Sequence, residues 1–318
     1  MRTEAITKTG ELLDRVRANI AQVIIGKEQS VNLLLAALLA GGHILVEDVP
    51  GIGKTTLVSS LARSLGLSFG RIQFTPDVMP SEITGYNIYN QQLGTFEFKT
   101  GMVMHQIVLA DEINRASPKT QSALLEVMQE RQISVEGQTI RLPQPFMVLA
   151  TQNAIEHTGT FPLPEAQLDR FMLKIHLGYP TVEDEVRIFK THASSNPLET
   201  LDEVITEEDV LWLQDQCKQV FISESLERYI AALADQTRRH PSLRLGASPR
   251  ASLMLVQVSR AWALIQGRDF VIPDDILDLI ESVWAHRLIL SSSSNLQNLS
   301  VHAVLQNLLK SIPVPVTA

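Results

Sequence analysis

Residues His43 to Gly66 read HILVEDVPGIGKTTLVSSLARSLG, and the order of textures in this stretch decides the fold. A short apolar run, HILVE, has the look of a strand; it passes through a loop holding two glycines and enters the helical pattern GKTTLVSSLARSLG. Strand, glycine loop and helix in that order form the context in which amides at a helix N-terminus converge on phosphate oxygens. The string departs from G-x-x-x-x-G-K-[ST] at one place, because Asp48 stands where the first glycine belongs. Aspartate tolerates left-handed backbone angles, so the loop is expected to keep its shape. Gly51, Ile52, Gly53 and Lys54 then present their amides, with Pro50 and Thr56 completing the cradle. Lys54 would bridge β- and γ-phosphates, and the Thr55 hydroxyl would face Mg²⁺. Glu47 and Asp48 would repel such a ligand, so both carboxylates are expected to turn away, towards backbone donors or a cation. The plainer alternative is an ordinary strand-turn-helix with glycine at the turn.

Outward from this stretch the first half of the chain alternates helix and strand, the pattern of an α/β layer structure. Helical periodicity marks ITKTGELLDRVRANI, EQSVNLLLAALLAGG and SPKTQSALLEVMQE, while RIQFT, HQIVLADE, PFMVLAT and FMLKIHL read as strands beside HILVE. Two hairpins are expected as insertions, one turning at Leu93-Gly94 and one at Glu136-Gly137. After Gly178-Tyr179-Pro180 strand signals stop and helical patterns take over, with starts at Thr206, Ser223, Ser248-Pro249 and Pro273. The expected organisation is therefore a nucleotide-binding α/β core over residues 1–180 and a helical domain over residues 181–318, whose Pro-Val end should fray.

Composition narrows the function classes. The 318 residues exceed what one hydrophobic core usually serves, so two packed domains are expected, and 45% apolar content fills both. A net charge of -8 argues against general affinity for nucleic acid or anionic membranes. The start MRTEAITKTG lacks the apolar run of a signal peptide, and LLLAALLA is too short to span a bilayer, so a soluble, cytoplasmic protein is expected. Cys217 is the single cysteine and reads as a small core residue; the eight histidines form no ligand pair.

Further candidates sit at strand ends. Asp111 and Glu112 close the strand QIVLA, where Asp111 would hold Mg²⁺ through water and Glu112 would orient a water for attack on a γ-phosphate, unless the pair is a solvated turn. Gln152 and Asn153 close FMVLAT; Asn153 is the better choice to hydrogen-bond the γ-phosphate, the alternative being an asparagine turn. Arg170, just before a strand, is either a salt-bridge anchor for Asp169 or Glu165, or a finger reaching into a neighbouring subunit.

The segments DVPGIGKTT, VLADEINRASPKTQSALLEVMQERQ, VLATQNAIEHTGTFPLPEAQLDRF and GASPRA together resemble the MoxR family of AAA+ ATPases over almost the whole chain. The resemblance implies a five-stranded parallel sheet of order 5-1-4-3-2, a C-terminal helical lid, and a ring, usually hexameric, with ATP and Mg²⁺ between protomers. It makes Lys54 and Thr55 the Walker A residues, Asp111 and Glu112 the Walker B pair, Asn153 sensor 1, Arg170 the arginine finger acting in trans, and Arg250 sensor 2. Ile24, Ile25 and Gly26 match the segment lining the adenine, although apolar residues there would equally pack beneath the sheet. Arg115 is similar to a position contacting the adjacent subunit or its nucleotide. The hairpins correspond to inserts that face a pore or substrate; Phe96 and Phe98, on one face of the first, touch a client or pack together, and packing is the expectation. A protein client is implied, including a separate von Willebrand factor A-domain protein. Two rivals remain: a nucleotide-dependent scaffold with little turnover, and a restriction-type GTPase or nucleic-acid motor.

Overall fold

The computed structural model describes residues 2–153, 159–192, 197–292, 294 and 298–315. The motif residues at 154–158 and the chain end at 316–318 lie outside the described residues. Five strands form the central sheet: β1 (Ile44–Glu47), β2 (Phe69–Gln73), β5 (Ile107–Asp111), β8 (Met147–Gln152) and β9 (Leu173–Ile175). All pair in parallel in the order β2-β5-β8-β1-β9, which, counting only these strands along the chain, is 5-1-4-3-2. Parallel strands buried on both faces read as continuous apolar runs, and the pleat sends alternate residues to opposite sides. Ile44, Val46, Ile107, Leu109, Met147 and Leu149 thus face one layer, while Leu45, Val108, Ala110, Val148 and Ala150 face the other.

On the first face lie α1 (Arg2–Ile20), α2 (Glu28–Leu39) and α3 (Lys54–Ser64); on the second lies α5 (Pro118–Glu130), started by Ser117, whose side chain accepts from the Thr120 amide. The short helix α4 (Pro80–Thr84) leads into the hairpin β3 (Gly85–Asn90) and β4 (Thr95–Thr100). A second hairpin pairs β6 (Gln132–Val135) with β7 (Gln138–Arg141) through Glu136 and Gly137, whose positive φ values of 48° and 85° suit a tight two-residue turn. Helix α6 (Glu165–Leu168) precedes β9, and α7 (Val182–His192) follows it.

The C-terminal part contains α8 (Glu207–Gln219), α9 (Glu224–Arg239), α10 (Pro249–Ile265), α11 (Pro273–Trp284) and α12 (Val301–Ser311). Thr206, Ser223 and Ser248 cap α8, α9 and α10 through their hydroxyls, as their types and places predict. Two findings differ from the expectation. Strand pairing continues past residue 180, since β10 (Leu243–Leu245) and β11 (Ile289–Leu290) form a small antiparallel ribbon too short to carry a periodic signal. The apolar core divides across the sheet rather than at residue 180: Leu34, Leu35 and Leu38 of α2 share one continuous cluster with Leu213, Leu255 and Trp284 of the helical part. Cys217 is buried in that cluster, and burial pushes its thiol up to about 12.

Phe96 and Phe98 part company. Phe98 packs against the second core face, whereas Phe96 is 69% exposed and meets Tyr89 edge-on at 5.2 Å between ring centroids.

Candidate functional site

The loop after β1 carries Gly51 at φ 86° and Gly53 at φ 85°, backbone conformations that a side chain resists, and Gly53 opens α3. Together they turn the chain so that the start of α3 faces a cavity of about 340 Å³. Pro50, Gly51, Gly53, Lys54, Thr55 and Thr56 line it from the loop and helix; Asp111, Glu112 and Asn153 line it from the carboxyl ends of β5 and β8. Gln152 does not. The Lys54 ammonium donates to the Asp48 and Val49 carbonyls at 3.3 and 3.2 Å.

Glu47 and Asp48 turn to a cation and to backbone donors, as expected from charge, but the left-handed backbone allowed for Asp48 is not used. Asp48 is absent from the residues with positive φ; its carboxylate accepts instead from the amides of Leu177 and, at 3.1 Å, Gly178. Glu47 pairs with Lys174. From the other side Lys27 donates to the carbonyls of Leu177, Gly178 and Tyr179 at 2.7, 3.2 and 3.0 Å.

The Walker-type carboxylates are held in a network that sequence reasoning missed. Arg71 donates to Asp111 Oδ2 at 2.7 Å and to Gln73 Oε1 at 2.7 Å, Gln73 donates to Glu112 Oε2 at 2.8 Å, and Thr151 donates to Asp111 Oδ1 at 2.6 Å. Arg71, Gln73 and Thr151 all line the polar cavity. The available signal was the spacing of Arg71 and Gln73, two residues apart at the end of a strand and so on one face. Glu112 itself sits at φ 58°, a left-handed conformation for a residue with a Cβ, and such strain is stored where a side chain must be aimed. Arg115 reaches Glu112 Oε2 at 3.1 Å, so within its own chain its partner is the second carboxylate of the pair.

A second cavity, also about 340 Å³, joins the first through Gly51, Gly53 and Thr56. Its walls are mainly apolar: Ile24, Ile25, Ile52, Leu177, Tyr179 and Phe189 line it, with Lys27 and Glu185 as the charged members. Gly26 lies beside it at φ 69°, with the Asp184 carboxylate where a Cβ would point, 2.2 Å away. Tyr179 and Phe189 have no counterpart in the sequence reading, because they reach the cavity only through the path of the chain after β9.

Arg170 and Arg250 do not line either cavity. β9 runs parallel to β1 with Leu173 opposite Ile44, so Arg170 precedes the amino end of the sheet, whereas the glycine loop follows the carboxyl end. Arg250 follows Ser248, whose hydroxyl donates to Asp169 at 3.2 Å. Asp169 in turn accepts from Arg287 Nε at 2.8 Å, with Arg287 almost fully buried. Burial lowers the Arg287 guanidinium to about 10 against the opposing pull of Asp169. Arg250, expected as sensor 2, therefore stands with the start of α10 at the opposite end of the sheet, where Ser248 and Arg287 both meet Asp169. Neither carboxylate proposed to hold Arg170 does so, since Asp169 takes Arg287 and Glu165 takes Arg244 at 2.6 Å.

The polar groups of the first cavity, an ammonium, three hydroxyls, loop amides and a carboxylate pair among them, fit a magnesium-bound polyphosphate, and the mainly apolar cavity beside it fits a flat heterocycle. Among the described residues no cluster of three or more His, Cys, Asp or Glu forms a metal site of its own. No helix among them is long and apolar enough to cross a membrane.

Comparison with known proteins follows the same lines. Residues 43–173 match the ATPase family associated with various cellular activities (AAA), and residues 235–308 match the AAA lid domain. The chain is 47% identical over 305 residues to YeaC of Bacillus subtilis, covering 96% of this chain and 95% of that protein. It is 41% identical over 321 residues to the chaperone MoxR1 of Mycobacterium tuberculosis, covering 98% and 85%. A crystal structure of a protein assigned as an ATPase from Cytophaga hutchinsonii superposes with a TM-score of 0.93 at 39% identity, covering 98% of each chain.

Proposed function

The chain belongs to the MoxR family of AAA+ ATPases, and from that premise we propose that it binds ATP with Mg²⁺, hydrolyses it as a subunit of a homo-oligomeric ring, and uses the resulting motion to remodel or activate a partner protein in the cytoplasm. One observation carries this reading: Lys54, Thr55, Asp111, Glu112 and Asn153 line a single cavity, while the two arginines of the motif set lie at the far end of the same sheet.

Each residue has a role that its position supports. The loop amides and Lys54 bind the β- and γ-phosphates; Thr55 and, through water, Asp111 hold the cation. Mg²⁺ there supplies neutralisation of charge on the phosphate oxygens. Glu112 aligns the attacking water, and Asn153 orients the γ-phosphate and that water without adding charge. Ile24 and Ile25 flank the adenine, and Gly26 lets the backbone pass Asp184. Arg170 and Arg250 stabilise charge on the phosphoryl group held by the neighbouring copy, since neither reaches the cavity of its own chain. A client, including a von Willebrand factor A-domain protein, would be a separate chain.

Mixing subunits tests the assembly. Arg170→Ala and Lys54→Ala proteins, each inactive alone, should regain about a quarter of wild-type ATPase at a one-to-one ratio, because random neighbours pair an intact loop with an intact arginine that often. Mixtures that stay inactive at every ratio would refute the trans assignment. Separately, Glu112→Gln should keep nucleotide binding and lose hydrolysis; full turnover in that variant would overturn the catalytic assignment.

A further inference from the structure

Away from the nucleotide cavities, a third cavity of about 300 Å³ opens where α2 ends, between α8 and α10. It lies at the amino end of the sheet, because Gly41 leads directly towards β1, and it shares no lining residue with the other two. Its polar walls are Arg131, Gln214, Lys218, Gln257 and Arg260, every one a hydrogen-bond donor, and no carboxylate lines it. That is unusual in a chain of net charge -8.

The carbonyl end of α2 explains part of this. Arg131 Nη2 donates to Gly41 O at 2.6 Å and Gln214 donates to Leu38 O at 2.7 Å, so both close the exposed carbonyls of that helix. Lys218 is paired on its outer side with Asp215 at 2.7 Å. Arg260 is not explained this way. Its Nε is buried with no hydrogen-bond partner among the described residues. A buried, unpaired N–H costs about 1–3 kcal/mol, and the outer nitrogens of the same guanidinium, on the side chain that lines the cavity, also have no acceptor among the described residues.

We propose that this cavity is a second oxyanion site, which takes a small phosphorylated molecule on Arg260, Lys218 and Gln257, with the remaining N–H groups of Arg131 at its rim. An arginine fork with a neighbouring ammonium matches the oxygens of a phosphate. The apolar floor of Leu39 and Ala40 and the volume leave room for an organic body beyond the phosphate. Cys217 adds no competing negative charge, since burial holds its thiol protonated.

Inorganic pyrophosphate is the probe, titrated calorimetrically without Mg²⁺ into the full chain. Lys54→Ala removes the main cation of the glycine loop, and the binding that remains should saturate, weaken with added salt, and fall at least tenfold, about 1.4 kcal/mol, when Arg260→Gln is added. Lys218→Gln should weaken it several-fold by the same titration. Without ligand, Arg260→Gln should unfold no earlier than the parent, because it removes an unsatisfied buried donor. Binding unchanged by both Arg260→Gln and Lys218→Gln, or absent in the Lys54→Ala protein, overturns the proposal. The outcome leaves the ATPase reading untouched, since no residue of this cavity belongs to the nucleotide site.

Discussion

Asp169→Ala should loosen the junction between the α/β core and the helical lid. The Asp169 carboxylate is the counter-charge of Arg287, at 2.8 Å from Nε, and the Arg287 side chain is only 2% exposed. Removing the carboxylate leaves the guanidinium buried with neutral acceptors alone, the carbonyls of Asp169, Phe171, Met172 and Val283 and the Met254 sulfur. Breaking a buried pair from one side costs about 3–5 kcal/mol, and because four carbonyls still accept from Arg287 the lower end, about 3 kcal/mol, is expected. Against a total stability of about 5–15 kcal/mol that loss is large. Urea unfolding followed by circular dichroism measures it. Asp169→Asn, which keeps an acceptor but not the charge, should fall between wild type and Ala. Asp169→Ala combined with Arg287→Met should recover to within about 1 kcal/mol of wild type, since an apolar side chain of similar length needs no counter-charge. A loss below about 1 kcal/mol in Asp169→Ala, or a double variant as unstable as the two single losses added, refutes the anchor.

Other outcomes follow from single sites. His43 is buried between the Met128 carbonyl and the Val148 amide, and burial pushes its pKa from 6.5 down to about 4. The unfolded chain therefore takes up a proton before the folded one does; stability is complete above pH 6.5 and should decline by about 3 kcal/mol as pH falls towards 4, a decline that His43→Gln should flatten in pH-dependent urea titrations. Asp48→Ala should cost about 2 kcal/mol in unfolding experiments and speed hydrogen exchange at the Leu177 and Gly178 amides; unchanged exchange there would sink the idea that the carboxylate holds them. Gly26→Ala should weaken binding of a fluorescent ATP analogue at least tenfold, through a left-handed backbone and a clash with Asp184, and wild-type affinity would count against the second cavity as the adenine site.

Local chemistry was legible in the sequence and long-range placement was not. The glycine loop, Lys54 and the Asp111-Glu112 pair could be read because strand, loop and helix are contiguous, and the apolar runs of the sheet announce burial on two faces. Arg71 and Gln73 escaped notice because β2 comes beside β5 only through pairing 38 residues apart, as the Gln106 to Ser68 contact shows. The side of the sheet on which Arg250 lies depends on Asp169 meeting Arg287, 118 positions away, and no window along the chain contains both. Phe96 and Phe98 share a strand and a side-chain parity, yet one packs and the other is exposed, because only the end of the hairpin near Gly85 touches the core.

Asp48 has a mechanical consequence. A glycine at that position would leave the glycine loop and the chain leaving β9 joined only through the β1–β9 pairing and the contacts of Glu47. With the carboxylate clasping the amides of Leu177 and Gly178, the loop is tied to the segment that leads into α7, and Lys27 ties the same segment to the start of α2. Under the proposed function, a displacement of α7 would be felt at the loop that holds the phosphates, and a shift in the loop would be felt along the same path. The position that looks like a motif mismatch is a side-chain tie between the two segments.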